Sequence, residues 1–429
     1  MTHTLLELTL TTLTYGGDAM GRDPTGRAVF VPFGLPGETV RVQLIEERKG
    51  FARAKLLEVL QASPQRITPK CKHFFTPLLT GEGLGARAAC GGCHYQNLSY
   101  PDQLAAKTDI LRDQLTRIGK IENPPIGEIV ASPAEWNYRN HIQFHLDGNA
   151  NLGFVAAETQ SARHEPPLSV LPISECHLPE EPLNALWPNL HFEPGTLLER
   201  VSLRAGEELL LVLESDSPET PEIEIEAELS VVHLTKDDAV VIAGDDHLVI
   251  EIWGRPFKVS AGSFFQVNTP MAAKMVEHVL ALLPSNDSRI TIFDVYCGVG
   301  LFSAFLAPRC QKLIGIELSP SACADFAVNL DEFNNVELYE APAELVLPAL
   351  DVKPDVVLLD PPRAGLEKAA LDALMTLQPP TMIYISCDPS TLARDLKRML
   401  EHGYQLQQVT PFDLFPQTYH IESISLLSR

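Results

Sequence analysis

Residues 290–300 read Ile-Thr-Ile-Phe-Asp-Val-Tyr-Cys-Gly-Val-Gly, and residues 312–317 read Lys-Leu-Ile-Gly-Ile-Glu. The first stretch is an apolar strand that ends in an acidic residue and a glycine-bearing loop, which lets a cofactor approach backbone N–H groups. The second is a strand that ends in Glu317, where a carboxylate can hydrogen-bond the hydroxyls of a ribose. From about residue 259 strands alternate with helices, which predicts an α/β domain built on a parallel sheet.

Two further strands of this domain deliver polar residues to the same edge of the sheet. Residues 355–359 are followed by Asp360-Pro361-Pro362-Arg363, and residues 382–385 are followed by Ser386-Cys387-Asp388-Pro389. Ligands bind at the carboxyl ends of the strands in such folds. Taken alone, each signal has an ordinary alternative, because Glu317 could start a helix and Cys387 could be a small core residue.

The remaining motifs are Phe265-Gln266-Val267-Asn268 ahead of the sheet and His420-Ile421-Glu422-Ser423 before a last strand. Read in chain order with Asp-Val-Tyr-Cys-Gly-Val-Gly, Asp-Pro-Pro-Arg and Ser-Cys-Asp-Pro-Ser-Thr-Leu-Ala-Arg-Asp, they resemble the RNA 5-methyluridine methyltransferase family. The resemblance spans roughly residues 262–423. It implies a Rossmann-like fold that uses S-adenosyl-L-methionine, with cofactor contacts at Gln266, Tyr296, Glu317 and Asp360.

The chemistry of uracil explains why such an enzyme needs a cysteine and a base. Carbon C5 is a poor nucleophile, so a thiolate must first add to C6 and turn C5 into an enolate-like centre. After methyl transfer, the C5 proton must leave before the thiolate can depart. The resemblance implies Cys387 as the nucleophile and Glu422 as the base, and we expect Arg394 to contribute an electropositive setting for the thiolate. Without the surrounding pattern, a glutamate on a terminal strand would more often be solvated.

Composition limits the class of protein. The chain has 429 residues, 45% hydrophobic and 21% charged, which is typical of a globular protein of several domains and excludes disorder. No apolar run is long enough to span a bilayer, and residues 1–7 lack a signal-peptide pattern, so we expect a cytoplasmic protein with no membrane partner. In that compartment eight cysteines are more often metal ligands, nucleophiles or core residues than disulfides.

The amino-terminal segment reads as a small β-barrel of short alternating strands over residues 5–61. It is similar to the OB-like TRAM domain at residues 15–22, Tyr-Gly-Gly-Asp-Ala-Met-Gly-Arg. Although the net charge is −23, residues 1–75 hold ten Lys/Arg against seven Asp/Glu, which suits an RNA-binding surface. Tyr15, Phe30, Phe33 and Phe51 could stack on bases, or they could belong to the core.

Residues 63–258 contain short β-like runs broken by prolines and predict a mostly antiparallel central domain. One branch of the family, whose members modify 23S ribosomal RNA, holds a 4Fe-4S cluster on four cysteines. Cys71, Cys90, Cys93 and Cys176 match that pattern, with an inserted Gly-rich loop, Thr80-Gly81-Glu82-Gly83-Leu84-Gly85, between the first two. Zinc and unliganded thiols are the alternatives.

We therefore predict three domains: a TRAM domain at 1–62, a central domain with the cluster cysteines at 63–258, and a methyltransferase domain at 259–429. The predicted reaction is methylation of C5 of a specific uridine, most consistent with 23S rRNA as the RNA partner by analogy. The alternatives are a tRNA 5-methyluridine methyltransferase, an amino-group methyltransferase that uses Asp360-Pro361-Pro362, and a non-catalytic RNA-binding iron-sulfur protein. No obligate protein partner is evident.

Overall fold

The fold is described from a computed structural model. It describes residues 4–75, 89–157, 169–224, 226–284 and 289–429, together with the backbone of 78–79. The predicted Gly-rich insertion at residues 80–85 lies outside these ranges. No helix within them is both long and apolar enough to cross a lipid bilayer.

The amino-terminal strands form a closed barrel. Along β4 buried residues alternate with more exposed ones, so one face of the strand fills the barrel. The strands pair in the order β3-β2-β1-β4-β5, and a parallel pairing of β3 with β5 closes the ring. The short strand β6 extends this sheet beside β5. The strands are β1 (Leu5–Leu13), β2 (Ala19–Arg22), β3 (Ala28–Val31), β4 (Thr39–Glu47), β5 (Phe51–Gln61) and β6 (Leu78–Leu79). The predicted barrel is confirmed.

The charged surface of this barrel differs from a simple basic patch. Arg27 pairs with Asp23 and Glu47, with N–O distances of 3.0 and 2.9 Å. Arg41 likewise pairs with acidic neighbours on β1 and β5. Phe33 is buried and stacks on Phe75 with the ring centroids 4.9 Å apart, so it belongs to the core. Much of the positive charge counted in the sequence is therefore locally neutralised.

The central region is a second, mostly antiparallel sheet, as predicted. Its strands lie in the order β13-β12-β11-β10-β7-β8-β9, and only β11 and β12 are parallel neighbours. Helix α1 (Tyr100–Arg117) precedes it in the chain, helix α2 (Glu181–Leu186) lies within it, and a separate hairpin follows. The strands are β7 (His141–Leu146), β8 (Leu152–Val155), β9 (Val170–Pro172), β10 (Arg200–Ala205), β11 (Leu209–Glu214), β12 (Ser230–Leu234), β13 (Ala239–Ala243) and, in the hairpin, β14 (His247–Ile252) and β15 (Arg255–Ser260).

The carboxyl-terminal part is the α/β layer expected from the alternation of strands and helices. Five strands are parallel in the order β18-β17-β16-β19-β20, and β22 then lies between β20 and β21, antiparallel to both. The strands are β16 (Thr291–Val295), β17 (Lys312–Glu317), β18 (Val336–Glu340), β19 (Val356–Leu359), β20 (Thr381–Ser386), β21 (Gln405–Phe412) and β22 (Glu422–Ser428). The helices are α3 (Thr269–Leu282), α4 (Leu301–Leu306), α5 (Pro320–Asn329), α6 (Ala343–Val346), α7 (Lys368–Leu377) and α8 (Pro389–Glu401).

The antiparallel direction of β22 was not predicted, and it follows from the short connection between β21 and β22. Residues 413–421 contain no helix, so the chain returns from β21 directly into β22 as an antiparallel neighbour. The order of the strands reverses between β16 and β19, which start the two halves of the sheet. Such a reversal opens a crevice at the carboxyl edge, where ligands bind in open α/β sheets.

Packing links this layer to earlier parts of the chain. Leu111 and Leu115 of α1 share a buried cluster with Phe293 of β16, so α1 covers the carboxyl-terminal sheet. The hairpin contributes Phe257 to the cluster on the opposite face. Strand β15 also runs across residues 258–259, where we predicted a domain boundary. The boundaries stay a prediction.

Candidate active site

The pairing of two strands sets the centre of the site. The antiparallel register of β20 and β22 pairs Ser386 with Ser423. Cys387 follows Ser386 at the end of β20, and Glu422 precedes Ser423 at the start of β22. One residue beyond this register, Cys387 and Glu422 come close enough for the charge of Glu422 to raise the pKa of the thiol. These are the two residues that the sequence predicted as nucleophile and base.

Glu422 is a buried carboxyl group. Only 4% of the residue is exposed, which excludes the solvated role that a terminal strand suggests. Burial raises its pKa well above the usual range, the charge of Asp360 raises it further, and Arg363 opposes both effects. A carboxylate with a raised pKa accepts a proton more readily than an ordinary glutamate.

Cys387 is half-buried, and the groups around it are mainly acidic. Burial raises the pKa of its thiol to about 12, and the charges of Glu422, Asp360 and Asp388 act in the same direction. Arg363 is the cation that lowers it. Burial and these acidic neighbours therefore disfavour the thiolate, and Arg363 favours it.

The expected contribution of Arg394 to this setting is wrong. Its Nε donates to Asp395 at 2.8 Å, and its terminal nitrogen donates to the carbonyl of Ala364 at 2.9 Å. The cation that acts on the site is Arg363, which the sequence shows only as the last residue of the Asp-Pro-Pro-Arg motif. A terminal guanidinium nitrogen of Arg363 lies 3.5 Å from Nε2 of His420. The two residues are 57 positions apart, so no short sequence pattern predicts this contact.

A group of acidic residues lies along the neighbouring strand ends. Asp294 is fully buried and accepts a hydrogen bond from Ser303 at 2.5 Å, and burial raises its pKa to about 7. The pKa of Asp360 is also raised to about 7, by burial and then by the charges of Asp294 and Glu317. Burial and neighbouring negative charges thus raise the pKa of both Asp294 and Asp360, and an acidic strand edge of this kind suits a ligand with a positive charge.

Glu317 and the glycine loop are joined in this structure. One carboxylate oxygen of Glu317 accepts from the backbone N–H of Gly298 at 3.0 Å, and the other accepts from Leu318 and Ser319 at 2.7 and 2.8 Å. Tyr296 in the same loop has φ of +66°, an uncommon conformation for a residue with a side chain. The carboxylate that we predicted to hold a ribose thus also fixes the backbone just ahead of α5, whose N-cap is Ser319.

Gln266 lies on the segment that enters α3. It is buried, and its backbone carbonyl accepts from the side chain of Asn140 at 3.0 Å. The two phenylalanines that precede it differ in exposure. Phe265 is buried and packs near Phe257, with centroids 5.9 Å apart, whereas Phe264 is 68% exposed.

The loop that leads to Glu422 is held from the side of α1, by residues that the sequence analysis did not single out. The Lys107 ammonium donates to Asp413 at 2.6 Å and to the carbonyl of Phe415 at 2.9 Å. Gln103 exchanges two hydrogen bonds of 2.9 Å with Gln417. The only sequence signal for these contacts is the presence of polar residues on the buried face of an amphipathic helix. That signal does not reveal which residues they bind.

The four cysteines predicted as cluster ligands line one cavity of about 240 Å³. Cys71, which the insertion separates from the others in the chain, lines it too. Backbone N–H groups of His73 and Gly92 donate to the sulfurs of Cys71 and Cys90, both at 3.4 Å. Among the described residues, however, no group of three or more His, Cys, Asp or Glu side chains is arranged to hold a metal ion.

Comparison with known proteins relates the two ends of the chain to known families. Residues 228–429 match the family model described as tRNA (Uracil-5-)-methyltransferase, and residues 3–57 match the TRAM domain. An uncharacterized RNA methyltransferase of Thermosynechococcus vestitus is 34% identical over 99% of this chain and 98% of its own length. One from Aquifex aeolicus is 32% identical over 98% of both chains.

Among solved structures, the Pyrococcus abyssi tRNA (uracil-54, C5)-methyltransferase in complex with S-adenosyl-L-homocysteine superposes with a TM-score of 0.71. It covers 98% of this chain and 99% of its own length, at 23% identity, and so has the same fold. With the full-length relatives and the matching family model, these findings show that the chain belongs to the RNA uracil-5-methyltransferase family and carries a TRAM domain.

Proposed function

We propose that this protein transfers a methyl group from S-adenosyl-L-methionine to C5 of a uridine in RNA through a covalent adduct of Cys387. The observation that carries the proposal is the register of β20 and β22, which sets a cysteine opposite a buried glutamate. Either residue alone would have an ordinary structural explanation. Their facing positions, beside Arg363, supply both the nucleophile and the base that methylation of a uracil carbon requires.

The acidic groups at the strand ends suit the cofactor. Glu317, the loop of Tyr296, Asp360 and Gln266 would hold it. Bound S-adenosyl-L-methionine supplies an electrophilic methyl group on a sulfonium cation. Without a bound cation, burial and neighbouring negative charges raise the pKa of Asp294 and Asp360 to about 7. A positive charge close to these carboxyl groups would favour their ionised forms and be stabilised by them.

The residues of the chain then act in sequence on the uracil. The Cys387 thiolate adds to C6, and the electron pair of the C5–C6 bond moves to C5 and the neighbouring carbonyl. Arg363 favours the thiolate, because it lowers the pKa of Cys387. C5 takes the methyl group, the Glu422 carboxylate removes the C5 proton, and the C6–S bond breaks to restore the double bond and release the thiolate.

We place the substrate in 23S ribosomal RNA, because the barrel and the four cysteines together resemble the branch that acts there. A target uridine must leave its stack to reach the site. Transfer RNA is the second candidate, favoured by the name of the matching family model and by the Pyrococcus abyssi enzyme of the same fold. Cytoplasmic location stays a prediction.

We also propose a 4Fe-4S cluster on Cys71, Cys90, Cys93 and Cys176. Each sulfur has a neighbouring N–H donor, from His73, Gly92, the Gln96 side chain and Leu178 in turn, as suits thiolate ligands. Zinc is the alternative occupant, since four thiolates would suit it too. The cluster has a structural role, because no step of the reaction transfers an electron.

The cluster is tested by metal and sulfide analysis of protein purified without oxygen. About four irons and four sulfides per chain are expected. One zinc per chain with no sulfide would support the zinc alternative, and neither metal would refute both proposals.

The reaction is tested with purified protein, methyl-labelled cofactor and unmodified ribosomal or transfer RNA, followed by mass spectrometry of the nucleosides. Labelled 5-methyluridine in 23S rRNA is the expected product. Label in transfer RNA would select the second candidate, whereas label on an amino group would refute the proposal.

Two variants test the assigned residues. Cys387→Ala should lose turnover while it retains cofactor binding, and the matched control Cys310→Ala, at another buried cysteine of the domain, should stay active. Glu422→Gln should accumulate a protein–RNA adduct that survives denaturing electrophoresis, because the C5 proton remains. The double variant should form no adduct, and normal product from Cys387→Ala would rule out the covalent mechanism.

A further inference from the structure

A tyrosine of the amino-terminal barrel reaches the nucleophile's loop. Tyr15 lies in the turn between β1 and β2, and its hydroxyl donates to Asp388 at 2.9 Å. The two residues are 373 positions apart in the chain, and Asp388 directly follows Cys387. The barrel therefore contacts the active site as well as presenting a surface for RNA.

Asp388 organises the backbone around Cys387. One of its carboxylate oxygens accepts from the N–H groups of Ser390 and Thr391, at 2.9 and 3.0 Å, and caps α8. The other oxygen is the one that accepts from Tyr15. On the opposite side of the cysteine, the Ser386 hydroxyl donates to the Asp388 carbonyl and accepts from its N–H, at 3.1 and 3.2 Å. Cys387 is thus held between two residues with fixed side chains.

The ring of Tyr15 contacts the loop that carries the base. It meets Tyr419 edge-on, with the ring centroids 5.7 Å apart. Tyr419 in turn packs against His94 and His420, with centroids 4.6 and 4.3 Å away, and it lies three residues before Glu422. One side chain of the barrel therefore contacts both loops whose facing residues are Cys387 and Glu422.

We propose that Tyr15 is a positioning residue for methyl transfer: its hydroxyl holds the Asp388 carboxylate and thereby keeps the Cys387 sulfur facing Glu422. This inference rests on the proposed role of Cys387 as the nucleophile. It gives the barrel a second role, distinct from binding RNA, because the active site is incomplete without a residue from the amino-terminal domain.

The charges around the thiol give this link a measurable signature. Glu422, Asp360 and Asp388 raise the pKa of Cys387, and Arg363 lowers it. The hydroxyl hydrogen of Tyr15 points at Asp388 and offsets part of that negative charge. Burial and the adjacent Asp388 raise the pKa of Tyr15 itself, so the phenol remains a donor throughout the useful pH range. Loss of the hydroxyl should therefore disfavour the thiolate further.

The test uses the full-length protein and the variant Tyr15→Phe, which keeps the ring. The rate at which iodoacetamide alkylates Cys387 is measured at fixed pH, by mass spectrometry of the peptide that contains it. Since only the thiolate reacts, we expect alkylation about three- to tenfold slower than in the wild type. Methyl transfer in a single turnover should slow by a similar factor, with the KM for RNA changed by less than about twofold.

Two controls separate positioning from loss of structure. Tyr404→Phe removes another buried hydroxyl, one that donates to the Pro379 carbonyl at 2.9 Å, and should leave both rates unchanged. Buried Cys310 reports opening of the domain in the same experiment, and its alkylation should be the same in every variant. An effect on Cys387 with Cys310 unchanged cannot come from general unfolding.

The partner is tested by a double-mutant cycle. Asp388→Ser keeps a cap on α8 but is too short to reach Tyr15, so Tyr15→Phe should have no further effect in that background. Wild-type alkylation of Cys387 in Tyr15→Phe, or an equal effect of Tyr15→Phe with and without Asp388, would overturn the inference. If Cys387→Ala were active, the proposed function itself would fail, whatever the alkylation rates.

Discussion

At the scale of single residues, the buried carboxyl group of Asp360 should reduce the stability of the fold at alkaline pH, although we propose that it helps to bind the cofactor. Its pKa is raised to about 7, whereas an unfolded chain would have a value near 3.8. The folded protein therefore binds this proton more tightly than the unfolded chain does. The stability that results is complete below about pH 4 and is lost as the pH rises through about 7.

Asp360→Asn should consequently melt at a higher temperature than the wild type at pH 8, by about 2 °C or more, and show a smaller gain at pH 5. The same variant should bind the cationic cofactor more weakly. Thermal unfolding without ligand at the two pH values measures the first effect, and Asp351→Asn, at an exposed site, is the control. An equal gain at both pH values would show that the carboxyl group is not the cause.

Asp360 and Cys387 could be assigned to one region from the sequence because each follows a parallel strand, and such strands end at the same edge of the sheet. Glu422 begins β22 instead, so only the family resemblance indicated its place in the site. Arg394 was misassigned because it lies in the helix that follows Cys387. Its guanidinium instead binds the adjacent Asp395 and the carbonyl of Ala364, thirty residues earlier in the chain. The role of Arg363 depends on the fold around the site, which no short pattern encodes.

At the scale of elements, the loop between β16 and α4 depends on two glycines in different ways. Both have positive φ, +55° at Gly298 and +90° at Gly300. A Cβ at Gly298 would meet open space, whereas one at Gly300 would press on the side chains of Leu330 and Phe326. Backbone strain therefore affects both positions, and crowding affects only the second.

Gly300→Ala should destabilise the domain by about 2 to 4 kcal/mol, since strain and overpacking add. Gly298→Ala should cost about 1 kcal/mol, the strain alone. Urea unfolding followed by intrinsic fluorescence compares the two, with Gly298→Ala as the matched variant. If the two variants had similar urea midpoints, the side chains of Phe326 and Leu330 would have to move aside at little cost, and crowding would not be the cause.

The element pattern explains what could be predicted here. Near-continuous apolar runs such as Thr291–Val295 predicted buried parallel strands correctly. The position of β22 between β20 and β21 was missed, because strand order depends on which edges remain unpaired after the earlier strands have assembled. Alternation of elements carries no such information.

At the scale of the whole molecule, a buried ion pair joins α1 to the segment that leads to Glu422. Lys107 of α1 and Asp413 after β21 are both fully buried, with an N–O distance of 2.6 Å. Removal of one partner from such a pair leaves an unpaired charge away from water, which costs far more than the pair itself contributes.

Lys107→Met should destabilise the protein by about 3 to 5 kcal/mol and reduce methyl transfer, because the loop that leads to Glu422 loses its anchor. The double change Lys107→Met with Asp413→Leu should recover most of the stability. Lys397→Met, which breaks an exposed pair with Glu401, is the control and should cost less than about 1 kcal/mol. Chemical unfolding measures all three, and a double variant no better than the single one would contradict the explanation.

Net charge was the least informative whole-molecule feature. A value of −23 seemed unfavourable for binding RNA, and the basic amino-terminal segment seemed to answer the objection. In the structure, Arg27, Arg41, Arg48 and Arg53 all lie within ion-pair distance of acidic side chains. A count of charges along the chain cannot distinguish cations that face a ligand from cations that are already paired.

The inserted strand β22 also has a consequence for how the enzyme comes into being. It occupies the space between β20 and β21 although it follows both in the chain, and it carries Glu422 in its first position. While the protein is being synthesised, β20 and β21 can be present with open edges and no base between them. In the proposed mechanism the nascent chain therefore lacks its base until residues 422–428 leave the ribosome, so that the step that completes the sheet also completes the site.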